Sequence, residues 1–101
     1  MNMREIQKMQ QRLMKMQEEL EATIFTGTAG GGAVTIAMNG KFEITAVEID
    51  PEAFNAEDIA ELEVMVLAAA KDAHHKATEA QQKMTSTLAG GMNLPNIPGL
   101  F

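Results

Sequence analysis

Four cations near the start of the chain are the residues whose spacing most invites a chemical reading. Arg4, Lys8, Arg12 and Lys15 follow one another at intervals of four, four and three. On an α-helix that spacing places them along one side. Such a row can neutralise successive phosphates of a polyanion, and it is equally what a solvated helix face looks like; charge alone does not separate the two. Glu18, Glu19 and Glu21 interrupt the row at its C-terminal end. A second basic group, Lys71, His75 or Lys76, and Lys83, falls in the distal half of a later helical segment whose first half is acidic.

Other chemistry is sparse. Ser86 is the only serine and lies in a helix-end segment without a nucleophile-elbow pattern. With no cysteine there is no thiol nucleophile, no disulfide and no Cys-based zinc or iron–sulfur site. His74 and His75 are adjacent, so on a helix they point about 100° apart and do not readily share a metal. His75 and Glu79, four apart, make a surface pair more readily than a metal site, since no third ligand is evident. Gly30-Gly31-Gly32 is followed by Ala33 and a strand pattern rather than by Lys-Ser/Thr and a helix, so it reads as a turn and not a phosphate loop. Glu57, Asp58, Glu61 and Glu63 lie across two helical turns without the loop geometry of a Ca²⁺ or Mg²⁺ site. No metal site, cofactor loop, small-molecule substrate site or catalytic group is expected.

The composition narrows the class. At 101 residues the chain fits one domain. The net charge of −6 argues against nucleic acid unless the basic residues are segregated, as the row above is. Aromatic content is 4%, all Phe, which disfavours base-stacking platforms. The polar opening from Met1 to Gln10 lacks a signal-peptide core, and no stretch approaches the roughly 18–20 apolar residues of a membrane span, so a soluble cytoplasmic protein without a membrane partner is expected.

Several elements must position these residues. From about Asn2 to Ala22 the chain is rich in helix formers, with Ile6, Met9, Leu13, Met16 and Leu20 as a heptad seam that suits another helix. Thr23 to Thr26 favour a short strand, and Gly27 reads as the start of a break. Val34, Ile36 and Met38 alternate as a half-buried strand. Asn39-Gly40 signals a two-residue type I′ hairpin turn. On the return strand, ending at Asp50-Pro51, the apolar parity switches between Phe42/Ile44 and Val47/Ile49, which calls for a bulge near Thr45-Ala46. Asn55 and Asp58 form a capping box for a second helix, whose stripe Ile59, Leu62, Val66, Ala69, Ala73, Ala77, Ala80 and Met84 is largely alanine and admits close approach. Gly90-Gly91 should stop that helix. Residues 1–91 then form one domain, and 92–101, with Pro95, Pro98 and Gly99, a flexible tail.

A helix from about Ala56 to Leu88 is roughly 45–50 Å long, against about 20–27 Å for a six- to eight-residue strand. It must overhang its own sheet. A second copy would cover both the alanine stripe and the first helix's seam, so Ile6, Met9, Leu13, Met16, Leu20, Ala69 and Ala73 are expected at a homodimer interface. The alternative is a monomer with both helices folded back on one face of the sheet.

Helix, short strand, Gly-rich turn, hairpin, long helix and Pro-rich end come in a telling order. So do Gly31-Gly32-Ala33-Val34-Thr35-Ile36-Ala37-Met38-Asn39-Gly40, Val47-Glu48-Ile49-Asp50-Pro51-Glu52, the run from Glu61 to Ala70, and Gly90-Gly91-Met92-Asn93-Leu94-Pro95. Across essentially the whole length the chain resembles the YbaB/EbfC family of bacterial nucleoid-associated proteins. The resemblance implies an α+β fold, α-β-β-β-α with a three-stranded antiparallel sheet between two long helices, in an intertwined, tweezer-like homodimer. It implies duplex DNA as partner with little sequence preference, a place in the nucleoid, roles in chromosome organisation, gene regulation or recombinational repair, and no enzymatic activity. DNA contact by helical arms maps onto Arg4, Lys8, Arg12 and Lys15, and onto Lys71, Lys76 and Lys83. A different reading is an adaptor for a replication or recombination factor. It would use the Met-rich first helix and the apolar tail residues Leu94, Ile97, Leu100 and Phe101.

Overall fold

The computed structural model describes residues 2–91; the expected tail, 92–101, lies outside the described residues. The chain runs α1 (Met3–Ala22), β1 (Phe25–Ala29), β2 (Val34–Met38), β3 (Ile44–Ile49) and α2 (Ile59–Gly91), an α-β-β-β-α order. Asn2 starts α1, its side-chain oxygen accepting from the Glu5 amide at 2.9 Å. Asp58 caps the entry to α2 by accepting from the Asn55 amide at 2.8 Å, after which one 3₁₀ turn, Ala56–Asp58, leads into the helix. α2 continues through Gly90 to Gly91, the last described residue.

The sheet is antiparallel in the order β1-β2-β3. Val34, Ile36 and Met38 all point from β2 to one face and are buried there. α2 lies along β1 and β2 on that face, meeting them through Ala69, Ala73 and Ala77, each fully buried. Phe54, Leu62, Met65 and Val66 close one end of the core, and Phe25 packs at the other.

Gly27 explains how near the helix comes. It sits inside β1, paired with Ile36, and is not a break. A Cβ there would fall well inside contact distance of the Ala69 carbonyl oxygen and the Ala73 amide nitrogen. The helix backbone rests directly on the strand backbone, and the alanines on α2 have the matching role. The expected use of Ala69 and Ala73 at a dimer interface is thereby corrected: both are occupied by the chain's own sheet.

The β2–β3 connection also differs from expectation. Residues 39–43 form a longer loop in place of a two-residue type I′ turn. The Asn39 amide donates to the Glu43 carbonyl at 3.0 Å, and the Asn39 side-chain oxygen accepts from the Lys41 and Glu43 amides at 2.9 and 3.0 Å. The left-handed residue is Phe42, φ 65°, whose ring lies 4.8 Å from that of His74. The expected bulge is present. Ala37 pairs with Ala46 and Met38 with Ile44, so Thr45 is the extra residue. By taking up the parity switch, it turns Ile44, Val47 and Ile49 to the same face as the β2 core residues they pair with.

Along the chain the sheet stands between the two helices. In space, α2 covers one face while α1, which has no fully buried residue, leaves from the end of the sheet. The molecule is accordingly long, 65 × 25 × 16 Å, with a radius of gyration of 18.7 Å against about 13 Å for a compact chain of this size.

Gly27→Ala should lower the unfolding free energy by about 2–3 kcal/mol, since backbone must move. Gly31→Ala, at φ 67° with open space around it, should cost only about 1 kcal/mol. Urea unfolding of the two variants checks the contrast.

Candidate nucleic-acid interface

α1 presents two different sides. Met9, Leu13, Met16 and Leu20 are half-buried and Ile6 is exposed. Roughly 125° around the helix, at about 100° per residue, stand Arg4, Lys8, Arg12 and Lys15, all exposed. Among the described residues none of the four is in an ion pair. From Met3 to Gln17 the only acid is Glu5, so this part of the arm is net positive in a strongly acidic chain.

The C-terminal turn of α1 stands across a groove from the distal part of α2. Gln17, Leu20 and Glu21 line one side of a groove, Gln81, Met84 and Thr85 the other, and Gly40 to Phe42 its floor. Of the seam residues expected at a dimer interface, Leu20 lines this groove within one chain.

The α2 cations are not arranged as a second row. Lys76 was expected at the DNA interface, but its ammonium donates to the Thr26 carbonyl at 2.7 Å and pairs with Asp72 at 3.4 Å. Asp72 in turn accepts from the Thr28 amide at 3.1 Å. Thr26 and Thr28 carry outward-facing backbone groups of an edge strand, so this pair ties α2 to β1 and occupies part of its open edge. The Thr28 amide, helped by Lys76, holds the Asp72 carboxyl below the usual aspartate range. Lys71 is exposed on the side of α2 away from the sheet; Lys83 is exposed farther along, beside Glu79 and Ser86, on a different side. The histidines form no joint site: His75 Nε2 pairs with Glu79 at 2.9 Å, and His74 faces Phe42.

A surface missed in the sequence is the apolar face of β3. Ile44, Val47 and Ile49 are 55%, 51% and 41% exposed, although their β2 partners are buried. Ile59 and Leu67 of α2 are exposed as well. A helix about 10 Å across spans roughly two strands at about 4.8 Å spacing, and α2 sits over β1 and β2. The parity switch and the narrow alanine stripe were the available signals.

The structure defines a small α+β protein of α-β-β-β-α order with four exposed cations in one row on its first helix. The model of the YbaB/EbfC DNA-binding family matches residues 1–92, and the chain belongs to that family. A protein of Dictyoglomus thermophilum named a nucleoid-associated protein is 46% identical over 98% of this chain and 93% of its own. A nucleoid-associated protein of Chloroflexus aurantiacus is 42% identical over the whole of both chains. An uncharacterized protein of Helicobacter pylori has a crystal structure that superposes with a TM-score of 0.70 at 22% identity, covering 87% of this chain and 97% of its own, which bears on the fold alone.

Because its carboxyl is depressed when folded, Asp72 contributes stability above the ordinary aspartate range, and that contribution is lost as pH falls through the folded value. Asp72→Asn should therefore lower the melting temperature at neutral pH, by an amount that shrinks on acidification. Lys76→Met should also lower it while leaving the salt dependence of DNA binding as in the wild type. A loss of one contact from the salt slope would contradict this placement.

Proposed function

We propose that the protein is a nucleoid-associated, homodimeric binder of duplex DNA with little sequence preference. The observation that carries the reading is the exposed row Arg4, Lys8, Arg12 and Lys15, projecting from the body without a carboxylate partner among the described residues. Flexible cations on a helix contact phosphates, which are the same at every base step, so they give affinity without base readout. Five to eight cations engaged by a dimer correspond to a slope of log K against log salt of roughly −4 to −7. Membership of the DNA-binding family and the nucleoid-associated relatives support the same partner and a place on the chromosome. No helix among the described residues is long and apolar enough to cross a membrane.

The bare face of β3 supports the dimer. Three large aliphatic side chains in one row, on an edge strand beside exposed Ile59 and Leu67, suit a second copy of the same surface. The exposed row supports a contact at β3 in preference to the alanines of α2. On this reading the protein acts by binding and not by turnover, in chromosome organisation, gene regulation or recombinational repair. A replication or recombination protein is a further candidate partner, for which Val64, exposed on α2, offers an apolar contact.

Arg4→Glu/Lys8→Glu/Arg12→Glu should abolish the gel shift of random-sequence duplex at low salt, with sedimentation mass and helix content unchanged. Retained binding would remove α1 as the contact. Val47→Glu, which buries a charge in the proposed contact, should shift sedimentation at micromolar concentration from dimer to monomer. A wild-type monomer at that concentration would overturn the pairing.

A further inference from the structure

Gly40 has a role that its dihedral angles do not explain. It stands in the β2–β3 loop, where glycine commonly supplies a positive φ, yet the glycines with positive φ are Gly30, Gly31 and Gly32. Gly40 is instead buried, although Lys41, Phe42 and Glu43 beside it are exposed. A Cβ there would overlap the Leu20 carbonyl group and come within 3.1 Å of the Glu21 Cα. What excludes a side chain is the last turn of α1.

Three further contacts converge on this point. The Gln81 side-chain amide of α2 donates to the Gly40 carbonyl at 2.9 Å in a partly buried position. Lys41 reaches Glu21 at 4.0 Å. Thr23 closes the helix, its amide donating to the Leu20 carbonyl at 3.1 Å and its hydroxyl to that of Glu19 at 2.6 Å. The loop backbone is thus held between the end of α1 and the distal part of α2.

We infer that Gly40, fixed by Gln81, is the seat that sets the direction of the basic arm, so both are positioning residues for DNA binding that touch no DNA. The inference rests on the reading of α1 as the DNA contact. Leverage gives the seat its influence. Arg4 lies sixteen residues from Leu20, about 24 Å along the helix, so a tilt of about 10° moves it by about 4 Å. That is more than the tolerance of a charge-assisted hydrogen bond. Cations at the far end then lose register with the phosphates while those near the seat keep it. The number of phosphates neutralised falls, which is a change in salt slope and not only in affinity.

The test is Gly40→Ala in the full chain, with spin labels at Gln7→Cys and Thr87→Cys diluted into unlabelled protein; the chain has no cysteine of its own. The expected result is a shifted or broadened interlabel distance. Affinity for random duplex should drop about tenfold, and the salt slope should be smaller in magnitude by about 2. Sedimentation mass and circular dichroism should stay as in the wild type. Partial unfolding alone would lower the apparent affinity without changing the slope. If Gly40→Ala does not fold, Gln81→Ala and Gln81→Glu, which cannot donate when ionised, replace it; each should broaden the distance and weaken binding about threefold. Wild-type distance and slope in folded variants would overturn the seat. A wild-type chain that shows no salt-dependent DNA binding overturns the reading beneath it, and the interlabel distance then judges the seat alone.

Discussion

The backbone contact between α2 and β1 at Gly27 is the constraint from which the rest of the molecule follows. Strand and helix approach so closely that neither can carry more than a hydrogen or a methyl group there, hence Gly27 against Ala69 and Ala73. A helix seated that deeply covers β1 and β2 and stops short of β3. Asp72 and Lys76, on the neighbouring side of α2, fall over the β1 edge and bond to it. One edge of the sheet is therefore engaged from within the chain, while the other keeps an open apolar row. The asymmetry gives the sheet a single side at which another copy can add, which favours a closed pair over a growing ribbon.

The same contact frees α1. With α2 on one face of the sheet, α1 is held at its C-terminal turn by the β2–β3 loop. Its seam is half-buried from Met9 to Leu20, and its cations are exposed. The chain as a whole is acidic, and acids flank β3 and the start of α2: Glu48, Asp50, Glu52, Glu57, Glu61 and Glu63 are all exposed. At physiological salt, where charges are screened over about 8 Å, a duplex near the first four turns of α1 senses chiefly Arg4, Lys8, Arg12 and Lys15, and the acidic body repels it only at short range. Net charge is thus a poor guide to the partner, and on the proposed reading the segregation of charge outweighs it.

What was legible in the sequence was local. The heptad seam, the β2 alternation, the bulge at Thr45 and the Asn55/Asp58 cap each depend on neighbours within a few residues. The row on α1 was visible for the same reason. What was hidden depended on contacts across some twenty to fifty residues. Glycine is selected either for its φ or for lack of a side chain, and sequence does not tell the two apart: Gly27 read as a break and Gly40 as a turn, whereas both are there because another backbone lies against them. An alanine stripe announces close approach but not by what, so Ala69 and Ala73 were assigned to a second copy. Lys76 looked like any helix cation, its Thr26 partner lying fifty residues away.

The central claim, that a polyanion is held by the free face of α1 and not by cations of the body, is tested most directly by lysine footprinting. Acetylation rates would be read by mass spectrometry with and without random-sequence duplex. The account predicts that Lys8 and Lys15 react freely alone and are shielded by DNA, while Lys76, bonded to Thr26 and Asp72, reacts slowly in both conditions. Unchanged reactivity of Lys8 and Lys15 under saturating duplex, with shielding confined to lysines of α2, would contradict it.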